Sequence, residues 1–394
     1  MSRIVFLNRF YWPEEPATGQ LLTDLAEELA GRGCDVQVLT SGPRGAVPGE
    51  QRHGVAIRRV RSPRFAQTGF LGQAANWCGF GLGALWCLML QLRRGDALVL
   101  LTDPPLLLLF AGPLARLRGA RVFHWVQDVY PELPERLSGL RSLGAMRWLR
   151  NREWRLASGC AVLGTDMARL LVANGADRNR VTVVPNWAPR GLEPAAPGTI
   201  AALRETWGLR DKFIVAYSGN MGRVHDLEPV LELAAVLRND ARCVFLFIGA
   251  GAQHRQLEAI ARAKQLPNVL FRPPQPRAQL AASLGVADVH LITLREQCED
   301  LVFPSKLYGI AAVGRPMLFI GPPHCELAGL VVAAGMGRSF ARDDVAGMAR
   351  VLGHWQDSPA ELAALASGAL AFSRTTPGLA QAANYWQSLV SSAH

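Results

Sequence analysis

The chain has 394 residues, 49% of them hydrophobic, and no low-complexity tract, so it is long enough for two domains of ordinary size and reads as folded throughout. Its seven cysteines are scattered, with no C-x-x-C pair and no histidines at zinc-site spacing, which excludes a disulfide framework and a zinc module as expectations. Of the formal charge of +10, residues 1–190 carry 24 Arg against 15 Asp and Glu, a net of +9, while residues 191–394 carry 18 Lys and Arg against 17 acids, a net of +1. A basic first half calls for an acidic partner, nucleic acid or an anionic membrane surface. No helix-turn-helix, zinc-finger or aromatic RNA-binding signature accompanies the charge, so no nucleic-acid partner is expected.

The opening, MSRIVFLNRFYWPEEP, enters a strand at once without a basic leader, a long apolar core or a small-residue cleavage site, and the expectation is a cytoplasmic protein. Short apolar runs at 3–8, 35–40, 55–60, 97–102, 120–126, 160–164 and 181–185 read as strands. Amphipathic segments lie between several of them, such as the one from Thr18 with Leu21, Leu22, Leu25 and Leu29 on one face, stopped by Gly31 and Gly33. The run Trp77 to Leu92 is 16 residues long and interrupted by glycines. It falls short of the roughly 20 residues that span a bilayer and reads as a buried or interfacial helix. Two basic runs flank it: Arg44, Arg52, Arg58, Arg59, Arg61 and Arg64 before, and Arg136, Arg141, Arg147, Arg150, Arg152 and Arg155 after, the latter alternating with Leu140, Leu143, Trp148 and Trp154. Arginines that meet lipid phosphates while Trp and Leu enter the acyl boundary would hold the first domain on the inner face of the plasma membrane.

The segment PNWAPRGLEPAAPG (185–198) is rich in proline and glycine and lacks either periodicity, so domains at 1–185 and 199–375 are expected around a linker at 186–198, with a last helix in 376–394 packing back toward the first domain. After the linker the alternation repeats, with strands at 213–219, 243–249, 268–272, 287–293 and 315–321. Two rounds of strand and helix predict an α/β chain of two doubly wound parallel sheets, with ligands at the carboxyl ends of the strands in a cleft between the domains.

The second round carries the phosphate chemistry. YSGNMGRVHDLEPVLELA (217–234) is a strand, a loop with Gly219 and Gly222, and a helix, an arrangement that aims free N–H groups at an anion; FIGAGAQHRQLEAI (247–260) repeats the design. Gly249-Ala250-Gly251 lacks the third glycine and the acidic strand end of a dinucleotide site. VFPSKLYGI (302–310) opens another helix, with Pro304 in its first turn, Ser305 placed to cap or to bind an anion, and Lys306, one of three lysines among 42 basic residues. A compact ammonium at a positive helix end is disfavoured unless an anion neutralises it, so a diphosphate ligand is expected there.

YSGNMGRVHDLE, VFPSKLYGIAAVGRP, the preceding VVPNW and the N-terminal FYWPEEPATGQLLTDLAEELAGRGCDVQVLT resemble, in sequence and order, the bacterial family 4 glycosyltransferases of the colanic-acid and O-antigen assembly type. The resemblance implies a GT-B fold of two Rossmann-like domains facing across a cleft, a UDP- or GDP-linked sugar donor on the C-terminal domain, and a saccharide acceptor, polyprenyl-diphosphate-linked, on the N-terminal one. It further implies transfer with retention and no cofactor or metal, in keeping with the lack of a D-x-D triplet.

Carried over position by position, the resemblance puts Asn220 and His225 where relatives hold the diphosphate with Arg and Lys, with Arg223 between them as a substitute. The family's paired glutamates fall on Leu301 and Gly309, neither a carboxylate, which leaves Glu326 as the candidate ribose partner. Gly19 would let backbone approach the donor phosphates; Gly219, Gly249, the strand-terminal Arg272 and Ser305 complete the expected donor-binding set around Lys306. Asp128, in HWVQDVYPELP (124–134), occupies the position of a family histidine that touches the transferred sugar, and with Lys306 it is the expected catalytic residue. Glu14, Glu15 and Glu132 are the expected acceptor contacts, and His124 a core histidine. A sugar-nucleotide epimerase on the same fold and a non-catalytic, membrane-bound nucleotide-sugar-binding protein are the alternatives.

Overall fold

The computed structural model describes residues 2–14, 16–42, 49–60, 70–138 and 144–391. The chain divides into two compact units, one of residues 1–187, 300–303 and 377–394 and the other of residues 188–299 and 304–376.

The first unit is built on β1 (Ile4–Leu7), β2 (Val36–Ser41), β3 (Gly49–Arg52), β4 (Val55–Val60), β5 (Ala97–Leu101), β6 (Arg121–Val126), β7 (Gly159–Val162) and β8 (Val181–Val183), in the order β3-β4-β2-β1-β5-β6-β7-β8. All neighbours are parallel except β3 and β4. Strands β1, β2, β5 and β7 are buried at every position, as in a parallel sheet covered on both faces; β1, β5 and β7 are runs of apolar and small residues, while β2 also buries Gln37, Thr40 and Ser41. The exception, β3, reads GEQR, alternates exposed and half-buried, and turns through His53 and Gly54 at φ of 46° and 82°. An edge strand of this kind leaves no apolar run to read, and the sequence does not predict it.

One side of this sheet is covered by the helix Ala17–Gly31, through Leu22, Leu25 and Leu29, and by the terminal helix Gly378–Ser391. Trp386 of the latter meets Phe6 and Phe123 edge-on at 6.1 and 6.5 Å. Trp125 stacks on Trp187 at 5.9 Å. Trp187 thus belongs to the core although it stands in the stretch read as a linker, because burial of its indole outweighs the proline and glycine around it. The apolar run 77–92 lies in the helix Phe70–Gln91 except for its last residue, and among the described residues no helix is long and apolar enough to cross a membrane.

The second unit carries β9 (Phe213–Ser218), β10 (Cys243–Ile248), β11 (Val269–Arg272), β12 (Val289–Thr293), β13 (Met317–Ile320) and β14 (Gly337–Phe340), all parallel in the order β11-β10-β9-β12-β13-β14. The order reverses between β9 and β12, so the loops after β9 and β12 open the crevice in which such sheets bind ligands. Val215, Tyr217, Phe245 and Phe247 build the core on one face; Ile214, Ala216, Val244 and Ile248 build it on the other.

The basic runs are disposed otherwise than their sequence suggests. Arg136, Arg147 and Arg150 are ion-paired with Asp300, Glu135 and Glu132, and Trp154 is buried beneath Arg150, whose guanidinium lies 3.9 Å from the ring centroid. Arg59 is buried against Glu50, and Arg52 pairs with Glu27. The helix Gly144–Leu156 is therefore packed on one side, not interfacial all round; Arg44, Arg61, Arg64, Leu140, Arg141 and Leu143 lie outside the described residues.

Candidate active site

In the second unit the site forms where β9, β10 and β12 end. Ser305 precedes the helix Lys306–Ala312 without using its hydroxyl as a cap, so the oxygen stays available. Lys306 is half-buried as a residue, yet its Nζ reaches no solvent and has no hydrogen-bond partner. It lies 3.6 Å from the centroid of the Tyr217 ring, and burial drives its pKa well below 10.5. A cation over a ring face gains on the order of 1 kcal/mol, far less than the loss of its hydration shell. Tyr217 is held by its hydroxyl, which donates to the Asn220 carbonyl at 2.8 Å.

The loop after β9 is fastened to the loop after β10. Gly219 N–H donates to Ile248 O at 2.9 Å, Met221 N–H to Ala250 O at 2.8 Å, and Gln253 Nε2 to Gly222 O at 2.6 Å. A Cβ on Gly249 would stand 2.1 Å from Gly219 O, and one on Gly251 2.6 Å from Met221 N. Gly249 is thus glycine because the two loops pack backbone to backbone, a different reason from the approach of a phosphate expected for it. Gly219, at φ +127° and exposed with Asn220 and Arg223, keeps the expected open position next to Lys306.

Two expected donor contacts are corrected. His225 is buried; its Nδ1–H donates to Thr293 O at 2.7 Å, and burial, followed by the charge of Lys306, pushes its pKa down to about 3. It is neutral and adds no positive charge for a phosphate. Arg272 stands in register with Ile248, on the sheet face opposite Tyr217, and its guanidinium donates to the carbonyls of Phe271 and Trp207. It belongs to the packing of the helix Pro197–Thr206 and its C-cap Trp207. Glu326 opens the helix Glu326–Ala333 and is half-buried, while Leu301 and Gly309 are buried and offer no carboxylate.

In the first unit a second group of polar residues gathers where β1, β5 and β6 end. Asp128 N–H donates to Thr102 Oγ1 at 3.3 Å, Asp128 bridges Val302, and Val129 N–H donates to Leu301 O at 2.9 Å. Burial, and secondarily Asp103, pushes the Asp128 carboxyl up to about 6. Asp103 accepts from Arg9 Nη2 at 2.9 Å and from Trp77 Nε1 at 2.9 Å; burial raises its pKa too, and these two donors oppose that rise. Arg9, Trp77, Thr102 and Asp103 were not singled out from the sequence; the acid directly after a strand in LTDPP was the available signal.

Glu132 is corrected as an acceptor contact: it opens the helix Glu132–Ser138, is 5% exposed, and both its oxygens receive Arg150. Gly19 is buried within the helix Ala17–Gly31, where a Cβ would stand 3.2 Å from that of Phe10, so close packing accounts for the glycine in place of the expected approach to donor phosphates. Glu14 is half-buried, and Glu15 lies outside the described residues. His124 is buried, and desolvation followed by the charge of Arg150 holds its pKa near 4, as suits a core histidine. Among the described residues no group of three or more His, Cys, Asp or Glu could hold a metal ion.

Residues 18–187 match the model of the glycosyl transferase 4-like domain. WcaI of Escherichia coli (strain K12), named for a glycosyl transferase of colanic acid biosynthesis, is 29% identical over 343 residues, 81% of this chain and 83% of that one. WbjE of Pseudomonas aeruginosa, named as a glycosyltransferase, is 28% identical over 267 residues, 66% of each chain. Among solved structures, Anabaena Alr3699/HepE in complex with UDP-glucose superposes with a TM-score of 0.76 over the whole of both chains at 15% identity, a likeness of fold. With two Rossmann-like units, a glycosyl transferase 4-like match within the first of them and glycosyltransferase relatives along most of its length, the chain is similar to the family 4 glycosyltransferases and shares the GT-B fold.

Proposed function

We propose that this chain is a glycosyltransferase that moves a hexose, with retention and without a metal ion, from a UDP- or GDP-linked sugar to a polyprenyl-diphosphate-linked saccharide in the assembly of a cell-surface polysaccharide. The observation that carries the reading is the covered, unpartnered ammonium of Lys306 at the ligand-binding end of the second sheet. An ammonium so placed is costly without a ligand and is compensated by a diphosphate, and Gly219, Asn220, Arg223 and Ser305 offer that group donors around it. The relatives support the substrate class: HepE is described with UDP and UDP-glucose, and WcaI is named for colanic acid biosynthesis.

In the transfer, the bond from the anomeric carbon to the diphosphate breaks as the acceptor oxygen bonds to the same face of the sugar. The acceptor proton passes to the departing diphosphate oxygen, whose growing charge Lys306 offsets. Asp128 orients sugar hydroxyls. The missing D-x-D triplet supports metal independence, because Lys306 supplies the positive charge a divalent ion would bring. Incubation with candidate donors and a lipid-linked acceptor, with and without EDTA, tests the reading by the anomeric configuration of the product. An inverted product, loss of activity in EDTA restored by magnesium, or isomerised donor in the absence of acceptor would each overturn it.

The same reading places the protein at the inner face of the plasma membrane. Leu82, Trp86 and Leu90 of the helix Phe70–Gln91, Phe110 and Leu117 of the helix Leu108–Leu117 and Trp148 of the helix Gly144–Leu156 are all exposed, on helices that pack side by side. Arg93, Arg94, Arg116, Arg118 and Arg152 are exposed on or beside those helices, as an interfacial surface requires. Sedimentation with neutral and anionic vesicles tests this, and equal binding to both would refute it.

A further inference from the structure

At the amino end of the first sheet, opposite the loops that hold Asp103 and Asp128, lies a pocket of about 450 Å³ lined by Arg3, Arg58, Arg93 and Arg118 with Gln37 and Gln91. Its floor is built. Arg3 donates to Gln37 Oε1 at 2.6 Å, to Gln91 O at 2.8 Å and to Asp96 Oδ2 at 2.7 Å, and Gln37 Nε2 donates to Gln91 Oε1 at 2.8 Å. Arg118 donates to the carbonyl of Met89, which gives it direction without neutralising it. Arg58 and Arg93 are exposed and have no side-chain partner among the described residues. Of the pocket's four guanidinium groups only that of Arg3 is ion-paired among the described residues, to Asp96, which leaves positive potential in a concave site.

The pocket is continuous with apolar surface. Leu82, Trp86, Met89 and Leu90 are spaced i, i+4, i+7 and i+8 on the helix Phe70–Gln91, all are exposed, and Leu90 itself lines the pocket. At 1.5 Å per residue the stripe runs about 12 Å from Leu82 to the pocket mouth. A ligand that fits both parts has a phosphate at one end and hydrocarbon at the other. A free anion would use only the arginines, and an apolar peptide only the helix.

We propose that this pocket takes the phosphate headgroup of an anionic phospholipid, whose acyl chains lie along the Leu82–Leu90 stripe, and so fixes which part of the first unit meets the membrane. The proposal deepens the membrane reading and rests on it for the source of the phosphate. It is separate from the acceptor, which belongs with the loops at the other end of the strands.

The test compares the full-length protein with the double variant R58Q/R93Q. Both positions are exposed, so the fold should survive, and circular dichroism checks that it does. Each cation removed should weaken binding to phosphatidylcholine vesicles containing phosphatidylglycerol by roughly fivefold, about 25-fold for the pair. Dihexanoyl-phosphatidylglycerol as soluble monomer should raise the melting temperature of the wild type and not of the variant, and inorganic phosphate at the same concentration should raise neither. Equal responses of wild type and variant would overturn the pocket, as would inorganic phosphate matching the lipid, which would assign it to a free anion. A wild type that ignores anionic vesicles but responds to the short-chain lipid through Arg58 and Arg93 would refute the membrane reading while upholding the pocket.

Discussion

Replacing Lys306 with methionine separates a charge kept for a ligand from a charge kept for the fold. In the ligand-free protein the nitrogen is covered and unpaired, and burial holds its pKa well below 10.5. An unfolded lysine keeps its proton up to about pH 10.4. Between the folded and unfolded values the unfolded chain therefore binds more protons, and the stability of the ligand-free protein rises with pH through that window by about 1.4 kcal/mol per unit for the one proton. A diphosphate beside the nitrogen has the opposite effect, favouring the ammonium, so nucleotide binding above the folded pKa must take up a proton. Titration calorimetry with UDP or GDP in buffers of different ionisation enthalpy should show this uptake, as much as one proton, in the wild type and none in K306M. The variant should lose roughly 2–4 kcal/mol of transition-state stabilisation, a thirty- to thousand-fold fall in kcat/KM. It should also be at least as stable as the wild type without ligand, since a buried nitrogen without a hydrogen-bond partner has gone. Wild-type binding indifferent to buffer, together with unchanged affinity in K306M or a variant that fails to fold, would refute the argument.

Three further outcomes follow from the geometry. Gly249→Ala should destabilise the second unit by at least about 2 kcal/mol in urea unfolding, because the residue sits at φ +139° and the added Cβ meets Gly219 O. Arg150→Ala should cost about 3–5 kcal/mol by stranding the buried Glu132, and R150M/E132Q should recover much of that, which unfolding of both variants would show. The kcat/KM of the wild type should fall as pH drops through about 6, where Asp128 takes its proton; Asp128→Asn should lack that limb and be slower by roughly tenfold, the difference of about 1.4 kcal/mol between a sugar hydroxyl bonded to a carboxylate and one bonded to an amide.

Strands were legible where both faces of a sheet are covered, because continuous apolar runs such as IVFL and CVFLFI suit that position. β3 was not, since an edge strand of sequence GEQR takes its structure from pairing with β4 and not from its own apolar content. Trp187 shows the same limit in reverse: its neighbours predict a linker, and only the stacked Trp125 reveals a core position. At the site, Lys306 stood out because lysine is rare in an arginine-rich chain. Tyr217 beneath it did not, as nothing in YSGN distinguishes a ring that carries a cation from a ring that fills a core.

Arginines were the least legible residues, and the reason bears on how this chain would meet a membrane. A basic run records how many guanidinium groups a segment carries but not which carboxylates face them after folding. Arg136, Arg147 and Arg150 come from the most regular run, and all three are neutralised by acids that the fold brings near. Arg116 and Arg118 belong to no run; each donates to a carbonyl, of Leu156 and of Met89, which orients the group and leaves its charge intact. Attraction to an anionic surface follows net charge, so the field of the first unit comes from exposed arginines such as Arg58, Arg93, Arg94, Arg116, Arg118 and Arg152. Those on or beside the helices Phe70–Gln91, Leu108–Leu117 and Gly144–Leu156 lie with the exposed Trp86, Phe110 and Trp148. The arginines that folding leaves uncompensated therefore accompany the apolar side chains that folding leaves uncovered, the combination an anionic bilayer recognises and water alone does not favour.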